Sequence, residues 1–205
     1  MGISASWIAL KGVDKAEALA RLETVETGAS AGLYEFEFSM AEMANGWLAI
    51  LAPDFDYPTP ELMGSLSVGG AAVACSIEEH VMCSVARGYE DGRAVWSVDH
   101  DGGNGGTRHL AVAGSVPPDF GPIRERLFAR QLEEDLGEAR TDYVFEAPAE
   151  LVYALCGFRA DGAAMPEGEP QMLVLQSTRP AQRAAPAASG GGGLFKALAG
   201  VFRRG

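Results

Sequence analysis

The chain has 205 residues, 47% of them apolar, and a formal charge of -12 at pH 7, which is enough apolar mass for one ordinary domain plus an appendage. The charge is unevenly spread: after Thr178 come Arg179, Arg183, Lys196, Arg203 and Arg204 and no acid, so removing these five cations leaves -17 for the body. A body that acidic repels phosphate backbones, which argues against nucleic acid and favours basic partners.

In chain order, Trp7-Ile8-Ala9-Leu10 reads as a first strand. Asp14 then offers a helix cap with Glu17 reaching back, and the helix runs to about Glu23. Tyr34 to Phe38 alternates aromatic and acidic residues as a half-buried strand does, and Gly46 to Ala52 forms another apolar run before Pro53-Asp54. Thr59-Pro60-Glu61 predicts a short capped helix to Leu66. Ala72 to Gly88 is expected as one or two strands, with Glu78-Glu79 as the place where it would break. Asp91-Gly92 is a hairpin turn, Ala94 to Asp99 the return strand, and Arg108 to Gly114 a further strand after a glycine-rich loop. Asp119 to Leu136 carries the apolar stripe of a helix lying on the sheet, Pro148 to Leu155 is a last helix stopped by Gly157, and Met172 to Leu175 a last, edge-type strand.

Elements in clumps rather than strict alternation predict an α+β fold, mainly an antiparallel sheet with helices on one face, over residues 1–178. Residues 179–193, rich in Ala and Pro and ending in Gly190 to Gly193, read as a flexible linker whose reach is about 20 Å root-mean-square. Residues 194–205 form the third unit. Drawn as a helix, Leu194, Phe195, Leu198, Val201 and Phe202 share one stripe, with Lys196 and Arg203 opposite, and Arg204 adds a third cation. So short a helix folds only on contact. It is expected to dock in a groove of a partner protein or on an anionic membrane surface; the plain alternatives are that it folds back on its own domain or stays idle.

Three cysteines, Cys75, Cys83 and Cys156, are too few for a disulfide framework and point to a reducing compartment. On one extended strand Cys75 and Cys83 would lie about 26 Å apart, so they read as small buried hydrophobes. The N-terminus lacks the features of a signal peptide, and no window approaches the ~20 apolar residues of a membrane span. Met1-Gly2-Ile3-Ser4-Ala5-Ser6 matches the N-myristoylation pattern, but the Ala/Gly/Arg-rich, Lys-poor composition is that of a bacterial chain. The expectation is a cytoplasmic protein, peripheral at most to the inner membrane face.

Candidate chemistry is thin. Gly28-Ala29-Ser30-Ala31-Gly32 has the spacing of a nucleophile elbow, but the order around it is helix, loop, strand, whereas the elbow needs a strand before and a helix after. Asp99-His100-Asp101 and His109 flank the loop Gly102 to Gly106, and with His80 they could gather at one sheet end to bind a metal or act as acid and base. No recognised ligand spacing supports this, and the glycine loop feeds a strand rather than a helix, unlike a phosphate cradle. No cofactor, metal or catalytic residue is therefore assigned.

Trp7 to Leu22, Pro60-Glu61-Leu62 to Leu66-Ser67, and Leu151 to Leu155 followed by Gly157-Phe158-Arg159 together loosely resemble an uncharacterised bacterial family of unknown function. The resemblance implies no catalytic residue and leaves the linker and tail outside it. The leading expectation is a non-enzymatic interaction or adaptor protein. An immunity- or inhibitor-type domain that neutralises a basic partner comes second, and a small metal-dependent hydrolase using His80, His100 and Asp101 third.

Overall fold

Trp7, Ile8, Ala9 and Leu10 are all fully buried, although strand alternation sends Trp7 and Ala9 to one face of their sheet and Ile8 and Leu10 to the other. Both faces of this strand, β1 (Ser4–Lys11), are therefore covered. In the computed structural model, which describes residues 2–178 except 37, 53 and 138–140, β1 is the middle member of a nine-stranded sheet.

On one side β1 pairs antiparallel with β4 (Leu48–Ala52), followed outward by β3 (Ser39–Glu42), β9 (Met172–Ser177) and β2 (Thr24–Ala31). On the other side come β5 (Ala71–Glu78), β6 (Cys83–Glu90), β7 (Arg93–Asp101) and β8 (Ala111–Gly114), again antiparallel throughout.

The expected α+β class with an antiparallel sheet is what the chain forms. Its helices, however, lie on both faces rather than one. The helices α1 (Lys15–Leu22) and α2 (Pro60–Leu66) place Ala18, Leu22, Met63 and Leu66 against Ile8, Leu10 and Ile50. On the opposite face α5 (Ala147–Cys156) buries Leu151, Val152 and Cys156 against Trp7, Ala9 and Val73. The helix α4 (Phe120–Glu134) forms a further layer, packed on α5 and the turn at 144–146. Only its first turns reach the sheet's core, through Phe120 and Ile123, while Leu132 and Leu136 of its expected stripe are exposed.

Local signals hold well at the helix starts. The Asp14 carboxylate accepts from the Glu17 amide at 2.8 Å and Thr59 Oγ1 from the Leu62 amide at 3.2 Å, satisfying amides that have no partner within the helix. The Glu17 side chain does not reach back as expected but pairs with Arg21 one turn on. The break at Glu79 is a turn, in which the Glu79 carboxylate and amide both clasp the backbone of Ile3, at 2.8 and 2.9 Å. Asp91 and Gly92, with φ of 44° and 80°, make the tight turn that joins twisted strands.

Two sheet expectations need correcting. The strand expected at Tyr34 to Phe38 is a turn and loop at its described residues, and the run read as a loop around Gly28 is instead β2. Solvated on both faces, β2 has no apolar alternation to announce it, and its pairing with β9 defines it. Nor is β9 an edge: it sits between β2 and β3. Among the described residues no helix is long and apolar enough to cross a membrane; the linker 179–193 and tail 194–205 lie outside the described residues.

Gly88 and Gly114 are the register neighbours of Trp96 on either side. A Cβ on Gly88 would stand 2.1 Å from the Trp96 Nε1, so the indole lies over the bare backbone. Gly88→Ala is expected to cost about 1–3 kcal/mol by overpacking, read as a lower midpoint in denaturant unfolding with an unchanged slope.

Candidate functional site

The histidines expected at one sheet end separate into two kinds. His100, on β7, is fully buried. Its Nδ1 lies 2.8 Å from the His109 carbonyl oxygen and its Nε2 3.0 Å from Asp142 Oδ2. A carbonyl only accepts, so Nδ1 carries a hydrogen. The opposite nitrogen faces a carboxylate, so a second proton sits on that axis, on Nε2 or on Oδ2. Asp142 also accepts from the Phe145 amide at 3.1 Å. The pair fastens the end of β7 to the segment that leads into α5, and it has no face open to a substrate.

His109 accepts at Nδ1 from the Asp101 amide, 2.9 Å away. The Asp101 carboxylate caps a single helical turn, α3 (Gly102–Gly105), by accepting from the Asn104 amide at 3.0 Å and the Asn104 side-chain amide at 2.7 Å. Burial pushes the Asp101 carboxyl up, and the Asn104 donors outweigh it and hold it below its ordinary value. The glycine-rich segment is thus a helical turn rather than a plain hairpin loop. Its composition follows from close packing: a Cβ on Gly105 would stand 2.5 Å from the His109 ring, and one on Gly102 3.0 Å from Asp142 Oδ2.

His80 is not drawn into this cluster. It is exposed at the β5–β6 turn with Nδ1 2.6 Å from Glu78 Oε1, and the Glu78 carboxyl is held below its ordinary value first by the Ser4 hydroxyl and then by His80. Among the described residues no three His, Cys, Asp or Glu side chains are grouped as a metal ion requires.

The remaining sequence candidates fall elsewhere. Ser30 lies on the edge strand β2, where its hydroxyl accepts from the Gln171 side-chain amide at 3.2 Å, and a turn follows it rather than the helix of a nucleophile elbow. Cys75, Cys83 and Cys156 are free and buried. The first two lie on the neighbouring strands β5 and β6, not on one extended strand as the 26 Å separation assumed. Burial raises all three thiols, to about 11 for Cys83 and about 12 for Cys156, as for inert packing groups. Leu194, Phe195, Lys196, Leu198, Val201, Phe202, Arg203 and Arg204 lie outside the described residues.

One open concavity was not disclosed by the sequence. A groove of ≈ 1090 Å³ runs along the α1 and α2 face, between the end of α1, the loop 54–59 and the end of β9. Leu22, Phe38, Tyr57 and Leu62 give it an apolar lining, with the Phe38 and Tyr57 rings edge to face at 5.4 Å. Asp54, Asp56 and Glu61 stand exposed along it, and among the described residues no hydrogen bond or ion pair engages their carboxylates. Arg21, the cation of the lining, is already committed: its Nη1 donates to the carbonyls of Leu66 and Val68 at 3.0 and 2.8 Å and its Nη2 pairs with Glu17.

Two buried serines hold the loop in place. Ser6 and Ser76 are register partners on β1 and β5, and their hydroxyls donate to the carbonyls of Asp54 and Phe55 at 2.5 and 2.8 Å. The signal in the sequence was the alternation of acid and aromatic at Asp54-Phe55-Asp56-Tyr57, between a strand and a capped helix.

Removing one member of the buried His100–Asp142 pair strands the other. His100→Ala is expected to cost about 3–5 kcal/mol. Asp142→Asn should cost about 1 kcal/mol, because the amide can donate to an unprotonated Nε2 and still accept from Phe145. Equal losses in chemical denaturation would refute this proton arrangement.

Asp99 provides a pH test. Its Oδ1 is 3.5 Å from Arg87 Nη2 yet accepts no hydrogen bond, and burial raises its carboxyl against the pull of Arg87 and His109. A folded-state value above the unfolded one gives stability that is full below the ordinary value of 3.8 and lost as pH rises through the raised value. Asp99→Asn should therefore melt no lower than wild type at pH 7, with the difference shrinking towards pH 4; a lower melt at pH 7 would show the Arg87 contact to be net stabilising. No family model matches the chain, and no curated protein or solved structure does either.

Proposed function

We propose that this is a non-enzymatic cytoplasmic interaction protein, in which an acidic body offers its groove to a basic amphipathic segment of a partner. The observation that carries the reading is the pairing, in one groove, of an apolar lining with the carboxylates of Asp54, Asp56 and Glu61, which none of the described residues engages. Such a surface buries apolar side chains and gives the flanking cations a partner, the arrangement of a helix-in-groove contact. The body's charge of -17 steers cations toward it and disfavours polyanions.

The reading gives the tail the second contact: Leu194, Phe195, Leu198, Val201 and Phe202 as its apolar stripe, with Lys196, Arg203 and Arg204 as its cations. Its receptor would be a protein partner or an anionic membrane surface. A hydrolase reading loses support from the burial of His100, whose two ring nitrogens are both taken by internal partners.

Titration of the full chain with synthetic amphipathic peptides, basic against acidic, tests the proposal. Basic peptides should bind, and more weakly as salt shortens the Debye length from about 10 Å at 0.1 M to about 3 Å at 1 M. The triple variant Asp54→Asn, Asp56→Asn, Glu61→Gln should lose about tenfold in affinity at low salt, since charge-pair losses of about 1.4 kcal/mol suffice for that factor. Indifference to peptide charge, or to the triple variant, would refute the groove as the binding surface.

A further inference from the structure

The groove opens where the described chain leaves the sheet. Ser177, near the end of β9, is part of its lining. The next residue, Thr178, is tied to the same rim, its amide and hydroxyl both donating to the Glu23 carbonyl at 2.8 Å. From this point 15 linker residues lead to Leu194. Read as the linker that the composition suggests, they would span about 20 Å root-mean-square, more than the ~16 Å length of an 11-residue helix. A segment tethered this way is present at an effective concentration in the millimolar range.

The segment so delivered complements the groove in kind. It carries five apolar side chains for a lining of Leu22, Phe38, Tyr57 and Leu62, and three cations and no acid for the carboxylates of Asp54, Asp56 and Glu61. Charge is separated along the chain so that every cation after Thr178 belongs to the appendage, while the groove's own arginine is spent on backbone carbonyls and Glu17.

We propose that residues 194–204 of the same chain occupy this groove in the absence of a partner, so that the groove and the tail mask each other and a partner gains access to either by displacing their contact. The inference rests on the reading of the groove as a site for basic amphipathic segments and names its resident occupant. A partner then sees an affinity reduced by the fraction of time the groove is closed.

The test uses the full chain, isotope-labelled, as wild type and as the double variant Phe195→Asp, Phe202→Asp. The amides of 21–23, 54–57, 59, 61 and 62 are expected to shift between the two proteins, by the same amount at low and at tenfold higher protein concentration. A free peptide of residues 194–204 should bind the double variant about tenfold more tightly than it binds wild type, because only wild type carries the competing tethered copy. The variant Asp54→Asn, Asp56→Asn, Glu61→Gln with an intact tail should reproduce the open-groove shifts at 21–23 and abolish the peptide's advantage.

Coincident groove amides in wild type and the Phe195/Phe202 variant would overturn the inference. Shifts that grow with concentration would overturn it too, by making a second copy the occupant. If an unrelated basic amphipathic peptide then moved the groove amides while the chain's own tail did not, the binding groove would stand and only its resident occupant would fall. If no basic peptide moved them, both readings would fall together.

Discussion

The burial of β1 on both faces is the constraint from which the architecture follows. A strand with Trp7, Ile8, Ala9 and Leu10 all inaccessible needs a layer on each side of its sheet, and α1 with α2 supplies one while α5 supplies the other. Continuous apolar strands are the habit of parallel sheets, where crossover helices cover both faces. Here every pairing is antiparallel, and the same two-sided cover arises because the chain interrupts its meander to lay helices down. The helices α1 and α2 come early on one face; α4 and α5 come after the β5 to β8 meander on the other.

That arrangement also settles where polar chemistry can be exposed. Toward β7 and β8, the α5 layer and the segment before it cover the sheet end, so His100 is enclosed and its two nitrogens serve the fold. Arg159 does similar work beyond α5, donating to Asp161 at 2.7 Å and to Glu146 at 3.0 Å. Burial lowers the guanidinium's value, but the carboxylates outweigh it and hold it above the ordinary range. On the α1 and α2 face the two helices leave a gap beside the loop 54–59, and the serine hydroxyls of Ser6 and Ser76 keep that loop from collapsing away from the sheet. An apolar-lined groove is the result, along which the carboxylates of Asp54, Asp56 and Glu61 meet no partner among the described residues.

Much of this was legible in the residues. Helix starts at Asp14 and Thr59, the stop at Gly157, the Asp91-Gly92 turn and the break at Glu79 depend on groups within a few positions of one another, so local chemistry names them. Charge partition between body and appendage is likewise a property of the chain itself. The edge strand β2 was not legible because it carries no apolar alternation, and the interior place of β9 was not because, though its apolar run announces a strand, its neighbours are set by pairing across more than a hundred residues.

What the sequence determined by itself, then, is the α+β class, the caps and turns, and the acidic body with a basic appendage, all fixed by neighbours along the chain or by simple sums over it. Only the tertiary structure decided that helices cover both faces, that His100 is enclosed with Asp142 while His80 stays at the surface, and that Asp54, Asp56 and Glu61 line one groove with Phe38 and Leu22. Those outcomes turn on which distant segments are brought together, and such contacts form only when the whole core closes, so no local pattern encodes them.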